Sequence, residues 1–154
     1  MIRRPPRSTL SSSSAASDVY KRQIDTISSF HLPQDEESKR LPFEKAAFGA
    51  IGLQTLLPAC LKLVHDKILD LPTLFKKISL NPAKLLNLKS GILKEDYPAD
   101  LILFDPDKPF TVDRFKLLSK AKNTPFDGYK LYGEVLKTFV KGNEIYKSRN
   151  TIDT

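Results

Sequence analysis

The sequence predicts an α+β fold, and three segments carry that prediction. Residues 46–64 place apolar side chains at three- and four-residue spacing, the pattern of an amphipathic helix. Residues 99–105 form a continuous apolar run between a proline and an Asp-Pro turn, which predicts a buried strand. Residues 131–146 alternate in polarity around a Lys-Gly-Asn turn and predict a β-hairpin. Helices therefore precede strands along the chain.

A short strand and a loop are expected before the first helix. Residues 24–30 alternate imperfectly between apolar and polar side chains, which predicts a strand. Residues 31–43 contain two prolines and mostly polar groups, so we expect a loop there.

Prolines divide the helical part of the chain. The first helix should be interrupted or kinked near Pro58. A second helix should start at Pro72, which suits a first-turn position, and end by Ser79. Asn81 should cap a short third helix with Pro82 at its first position. Its predicted buried face consists of Leu85, Leu86 and Leu88. A long irregular link rich in turn-forming residues should separate the buried strand from the hairpin.

The composition fits one globular domain and argues against a membrane protein. The 154 residues are 40% hydrophobic and 28% charged, with a mean hydropathy of -0.30. The longest apolar run, residues 46–57, contains Gln54 and Thr55 and is shorter than the roughly 18 residues a membrane span needs. Cys60 is the only cysteine, so no intrachain disulfide or cysteine-built zinc site can form, and a reducing cytoplasm fits best. We expect Cys60 to be a small buried hydrophobe.

The basic charge does not predict nucleic-acid binding. Residues 1–23 hold five basic side chains and one acidic side chain, which accounts for +4 of the net +7. The lysines of the helical part form no basic stripe interleaved with exposed aromatics, and no glycine-rich phosphate loop is present. The sequence therefore favours neither nucleic acid nor nucleotide as a partner.

Residues 1–23, rich in Arg, Pro and Ser, are expected to be disordered. Back-translated, the stretch from Met1 to Thr9 resembles a sequencing-library adapter, and the stretch from Ser13 to Gln23 resembles the transposase end used in the same libraries. We interpret the segment as a translated adapter artefact and exclude it from the fold. Its composition also leaves a transit peptide open.

Four ordered segments resemble the C-terminal part of bacterial dihydroorotases, within the amidohydrolase superfamily. In chain order they read KRLPFEKAAFGAIGLQTLLP, SLNPAKLLNL, YPADLILFDPDKPFTVD and SKAKNTPFDGYKLYGEVLKTFVKGNEIY. The second and third recur across many amidohydrolases, whereas SKAKNTPFDG favours dihydroorotase over hydantoinase or deaminase relatives. The resemblance covers nearly all of residues 24–146.

This resemblance implies a fragment of a larger fold, a (β/α)8 TIM barrel flanked by a composite β-sandwich. Residues 24–97 would form the end of the barrel, with residues 24–30 as its last strand. Residues 98–147 would supply sandwich strands, and residues 148–154 a tail.

The resemblance also implies an activity and a cofactor. Dihydroorotases hydrolyse dihydroorotate reversibly to N-carbamoyl-L-aspartate in pyrimidine biosynthesis, with a zinc-held hydroxide as nucleophile. Their zinc ligands come mainly from a His-x-His on the first strand and from later barrel strands, which this sequence lacks. The two histidines present are His31, expected to be a hydrogen-bonded structural group, and His65, late in a helix and assigned no chemistry. We therefore expect no zinc site and no activity in this chain alone.

When this sequence is matched residue by residue to the family pattern, none of the family's catalytic residues is present in it. Phe30 stands where the catalytic Asp is expected, either genuinely or through a sequencing error. Gln34 takes the place of a His that grips the substrate carboxylate in many members, with a solvated loop residue as the alternative. Phe48 and Gly49 match a pair whose backbone approaches the substrate, with packing at a helix entry as the alternative.

Two functions are compatible with these residues. One parent is a zinc-dependent dihydroorotase. The other is a non-catalytic dihydroorotase-like protein that serves as a structural partner of aspartate carbamoyltransferase. Phe30 favours the second, and Gln34 is compatible with both. An intact His-x-His encoded upstream would favour the enzyme.

Overall fold

Helices precede a three-stranded antiparallel sheet, and the helix Leu56–His65 packs on its middle strand, which confirms the α+β class. The computed structural model describes residues 24–148; the predicted disordered segment 1–23 and the tail residues 149–154 lie outside the described residues. The helices are α1 (Glu36–Arg40), α2 (Leu56–His65), α3 (Leu71–Phe75) and α4 (Asn81–Leu85), with a π-helical turn at Lys76–Leu80 and a 3-10 helix at Arg114–Lys116. The strands are β1 (Leu101–Thr111), β2 (Lys130–Val140) and β3 (Asn143–Lys147), in the order β1-β2-β3. No helix within the described range has the length and apolar character to cross a bilayer.

The predicted hairpin is confirmed as β2 and β3, which pair antiparallel. Lys141 (φ 50°) and Gly142 (φ 80°) both take left-handed conformations, the geometry of a two-residue turn that matches the twist of its strands. The Asp100 carboxylate accepts a hydrogen bond from the Lys141 N–H at 2.8 Å and ties this turn to the start of β1.

Strand β1 is longer and more exposed than predicted. It continues through the expected Asp-Pro turn because a bulge between Asp105 and Pro109 absorbs the extra residues opposite β2. Prolines are tolerated here because β1 is an edge strand. The prediction of a buried strand was wrong, since Leu101, Ile102 and Leu103 are 37%, 44% and 52% exposed. Within residues 24–148 too little lies over them to exclude water.

Helix α2 begins at Leu56, well after the predicted start at Ala46. The intervening residues keep the apolar spacing but take a non-helical path, because Gly49 has a φ of 119° and the Ala50 carbonyl bonds to another segment. Pro58 therefore lies in the first turn of α2 and does not kink it. The N–H groups of the first helical turn have no acceptor within the helix, so proline costs no intrahelical hydrogen bond there.

Helices α3 and α4 form one continuous segment, not the two separate helices predicted. Asp70 accepts from the Thr73 N–H at 2.9 Å, and hydrogen bonds from the Thr73 side chain and backbone lower the pKa of Asp70. The break expected before Pro82 is replaced by the π-helical turn. Pro82 has no N–H to offer the Lys77 carbonyl across that turn, and the Ile27 N–H donates to the same carbonyl at 3.0 Å.

The predictions for the third helix were wrong at both ends. Asn81 is itself helical, and its side-chain amide donates to the Asp25 carbonyl at 2.8 Å instead of capping. The leucines expected on a buried face are exposed, because α4 ends at the first of them and buries Ala83 instead. These exposed residues are Leu85, Leu86 and Leu88.

Residues 24–30 form no strand, contrary to the prediction. A strand requires pairing with a neighbouring strand, and among the described residues the only bridge near this segment is the isolated parallel one between the adjoining His31 and Ala50. The left-handed φ of 41° at Phe30 also ends the extended conformation at this point.

The predicted loop over residues 31–43 contains α1. Asp35 caps the helix by accepting from the Ser38 N–H at 2.6 Å, and this hydrogen bond lowers the pKa of Asp35. Arg40 pairs with Glu36 at 3.1 Å, one turn away. Capping and pairing thus stabilise a short helix that buries none of its residues.

The core lies where α2 and α3 meet the sheet. Leu61 and Leu74 are fully buried beside Cys60, which is the small buried hydrophobe expected. Burial raises the pKa of Cys60 to about 11, so the thiol stays neutral. Gly133 of β2 has a φ of 105°, and a Cβ at this position would overlap Cδ1 of Leu61. The missing side chain therefore allows α2 to approach the sheet.

We predict that Gly133→Ala lowers the free energy of unfolding by about 2–4 kcal/mol, because overpacking adds to the strain of a left-handed alanine. Denaturant unfolding measures the change. Gly128→Ala is the matched control, since Gly128 has a φ of 75° with nothing within 4 Å of the added Cβ. The control should lose only about 1–2 kcal/mol. Equal losses in both variants would show that Leu61 does not require glycine at Gly133.

We also predict that the purified 154-residue chain self-associates and binds a hydrophobic dye, because many large apolar side chains are exposed and can pack against one another. Size-exclusion chromatography and dye fluorescence measure both properties. A compact monomer without dye binding would contradict the prediction. The side chains that expose the most apolar surface include Phe43, Phe48, Leu85, Leu93 and Leu118.

Candidate functional site

Three segments that are distant in sequence meet in one region and are joined by backbone hydrogen bonds. The Leu32 N–H donates to the Ala50 carbonyl at 2.9 Å, and the Ile51 N–H donates to the Asn123 carbonyl at 3.3 Å. The middle segment, residues 45–52, is called the turn before α2, and these two hydrogen bonds hold it from both sides. The segments are residues 31–34, 45–52 and 117–125.

His31 is held by the backbone of this turn. Its Nδ1 accepts from the N–H groups of Gly52, at 3.1 Å, and Leu53, at 3.4 Å. A ring nitrogen that accepts hydrogen bonds carries no proton, so the neutral ring bears its proton on Nε2. These contacts are those of the structural group expected from the sequence.

Gly49 is fixed by its conformation and by its neighbours. Its φ is 119°, and a Cβ would lie 2.8 Å from the Leu32 side chain, so a larger residue does not fit without strain. Its carbonyl accepts from Lys39 Nζ at 3.1 Å and from Asn123 Nδ2 at 3.3 Å. The close packing is against Leu32 and not at a helix entry, since α2 begins only at Leu56.

Sequence reasoning missed Lys39 and Asn123 as parts of this region. Lys39 lies in a charged stretch typical of a solvated surface, and Asn123 lies in the irregular link. The available signals were that Lys39 opens the resembling segment KRLPFEKAAFGAIGLQTLLP and that Asn123 belongs to SKAKNTPFDG, the segment with the narrowest resemblance.

Two of the three predicted substrate-binding residues, Gln34 and Gly49, line different cavities. Gln34 lines an open groove of about 590 Å³, whereas Gly49 lines a separate cleft of about 290 Å³. The two cavities are neighbours, since Glu36 and Lys122 line both. The Phe48 side chain is exposed and lines neither of them.

Phe30 has a conformation that disfavours phenylalanine. Its φ is 41°, its N–H donates to Ser28 Oγ at 3.3 Å, and its side chain is 82% exposed. The left-handed region costs a bulky residue about 1–2 kcal/mol, whereas Asp and Asn are several-fold enriched there. The backbone at this position therefore suits an aspartate better than the residue present.

The described residues do not fit a zinc ion. Residues 24–148 contain no group of three or more His, Cys, Asp or Glu side chains that could hold a metal. His65 lies apart from His31: its Nε2 is 3.0 Å from the Pro106 carbonyl, and its ring is 5.1 Å from that of Tyr132. Neither histidine has the partners of a zinc ligand set.

Comparison with known proteins shows which family the chain belongs to. The profile of the amidohydrolase family matches residues 47–145. The chain belongs to the amidohydrolase family. The dihydroorotase of Ehrlichia chaffeensis is 42% identical over 125 residues, covering 81% of this chain and 28% of that protein. The dihydroorotase of Desulforapulum autotrophicum is 44% identical, covering 80% of this chain and 29% of that protein. The chain thus spans less than a third of these curated relatives.

Solved structures agree with the fold of this amidohydrolase. The L-hydantoinase (dihydropyrimidinase) from Arthrobacter aurescens has a TM-score of 0.84 and 30% identity, covering 99% of this chain and 35% of that one. The dihydropyrimidinase from Brevibacillus agri has a TM-score of 0.84 at 21% identity, covering 93% and 32%. The resemblance to the C-terminal part of bacterial dihydroorotases is confirmed, as is the fold class of an amidohydrolase fragment.

We predict that Phe30→Asn in this amidohydrolase raises the free energy of unfolding by about 1 kcal/mol, because Asn takes the left-handed conformation at lower cost. Phe43→Asn is the matched control. Phe43 is 95% exposed and is not among the residues with positive φ. Its substitution should leave stability nearly unchanged. Equal shifts in the two denaturant midpoints would argue against strain at Phe30.

Proposed function

We propose that this chain is the C-terminal part of a zinc-dependent dihydroorotase, the cytoplasmic hydrolase that interconverts dihydroorotate and N-carbamoyl-L-aspartate in pyrimidine biosynthesis. The observation that carries the proposal is 42–44% identity to curated dihydroorotases over about four fifths of the chain. The hydantoinase and dihydropyrimidinase structures share the fold at 30% identity or less. The sequence comparison therefore favours dihydroorotase over its structural neighbours.

In such an enzyme the turn before α2 supplies backbone for substrate binding. The peptide between Phe48 and Gly49 lies beside a carbonyl that two side chains hold in place. Substrate amides and carboxylates are recognised by fixed polar groups, and a fixed peptide offers one donor and one acceptor. Gln34, which lines the neighbouring groove, offers a neutral donor for the substrate carboxylate.

The zinc of the parent enzyme would be held by residues that precede residue 24 in the complete protein. The described part of this chain offers no ligand cluster. One carboxylate at position 30 would add a single ligand, and tight zinc sites generally need three or four with a supporting second shell. The chain by itself is therefore proposed to be inactive.

A second candidate is a non-catalytic dihydroorotase-like protein that binds aspartate carbamoyltransferase. Phe30 is the observation that favours it, because a phenyl ring neither ligates a cation as an anion nor accepts a proton. The left-handed backbone of Phe30 favours the enzyme instead, since that conformation suits the aspartate of a catalytic parent. We place the enzyme first because the sequence identity and the backbone agree.

The native chain should show no carbamoyl-aspartate cyclisation and no tight zinc binding, and Phe30→Asp alone should restore neither. Residues 24–154 fused behind the preceding part of the Ehrlichia chaffeensis dihydroorotase should turn over with Phe30→Asp and show little or no turnover with Phe30 in place. The assay is cyclisation of carbamoyl-aspartate with added zinc, with zinc content measured in parallel.

Two outcomes would count against these assignments. Turnover by the native chain would show that it holds a complete site. Equal turnover by the two hybrids would show that Phe30 does not occupy the position of the catalytic aspartate. A Phe43→Asp hybrid with Phe30 retained is the matched control, and it should stay as inactive as its parent.

A further inference from the structure

Two side chains from distant parts of the sequence converge on the carbonyl of Gly49. Lys39 Nζ, from α1, donates to this oxygen at 3.1 Å and to the Ala47 carbonyl at 2.7 Å. Asn123 Nδ2, from the link after β1, donates to the same oxygen at 3.3 Å and to the Leu32 carbonyl at 3.3 Å. Lys39 therefore links α1 to two carbonyls of the turn, and Asn123 links the turn to Leu32.

The bridges restrain a peptide that glycine would otherwise leave free to rotate. Glycine has the widest choice of backbone conformations, so an isolated turn at Gly49 would populate several orientations. The held carbonyls of Ala47 and Gly49 flank the peptide between Phe48 and Gly49. Fixing both neighbours fixes the direction of that peptide.

Hydrogen-bond donation accounts for the placement of Asn123. Its Nδ2 makes both contacts described, while its Oδ1 is buried without a partner among residues 24–148. A buried unpaired acceptor is unfavourable, so the contacts made by the amide nitrogen must offset its cost. Lys39 is charged, and hydrogen bonds from charged donors are stronger than neutral ones.

We propose that Lys39 and Asn123 are positioning residues that orient the Phe48–Gly49 peptide for substrate binding. The proposal rests on the proposed function and deepens it by naming what holds the substrate-facing turn. Loss of either donor should weaken substrate binding more than the chemical step, because each donor acts through the turn and is assigned no part in the reaction. We expect a rise of about tenfold in KM with kcat within about threefold, the effect of one lost hydrogen bond.

The first test uses the full 154-residue chain and needs no catalysis. Lys39→Met and Asn123→Asp each remove the donor at nearly constant size. Amide exchange at Leu32, whose N–H bonds to Ala50, should accelerate about tenfold in both variants. Lys45→Met, in the same turn, is the control and should leave exchange unchanged. Unchanged exchange in both donor variants would overturn the restraint.

The second test uses the hybrid enzyme that carries Phe30→Asp. Lys39→Met and Asn123→Asp should raise KM as stated, and Lys39→Arg should restore KM because it keeps a charged donor. Turnover with unchanged KM in both donor variants would overturn the positioning role while leaving the proposed function intact. Absence of turnover in the parent hybrid would instead overturn the proposed function.

Discussion

The contact between Leu61 and Gly133 joins the helical layer to the sheet, and the remaining geometry depends on it. Leu61 is fully buried, and the absent side chain of Gly133 leaves the space that its methyl group fills. Helix α2, fixed in this way, begins at Leu56, and Thr55 Oγ1 just before it donates to the Gly52 carbonyl at 3.5 Å. The link between β1 and β2 is anchored by the sheet at both ends, and its Asn123 donates to the Gly49 carbonyl of the same turn. The core therefore holds together the helical layer and the sheet, to which the segments of the candidate site are connected along the chain.

Local sequence signals predicted the elements whose causes are local. The hairpin was predicted from its Lys-Gly turn, in which both residues have a positive φ. The burial of the Cys60 thiol was predicted from the small apolar character of cysteine. Apolar spacing failed where tertiary contacts decide the backbone. Residues 46–55 keep helical periodicity, yet the φ of Gly49 and the bond between Leu32 and Ala50 exclude a helix there.

The candidate site was predicted only in part, for a related reason. Gly49 could be found because the family pattern marks it and because only glycine tolerates its conformation. Lys39 and Asn123 could not be found, since a lysine in a charged stretch and an asparagine in a link are usually solvated. Their role depends on contacts across segments that only the folded chain brings together. The expectation that this chain holds no zinc site rested on the missing His-x-His and stays a prediction.

The proposal that Ile24 onward is the end of a dihydroorotase is tested most directly by the source DNA. The measurement is the genomic sequence that spans the codons of Gln23 and Ile24. We predict that the reading frame upstream of Ile24 encodes the preceding barrel, with a His-x-His near its start, and that the codons for residues 1–23 are absent. A genomic frame that encodes residues 1–23 directly before Ile24 would contradict both the adapter interpretation and the proposed parent.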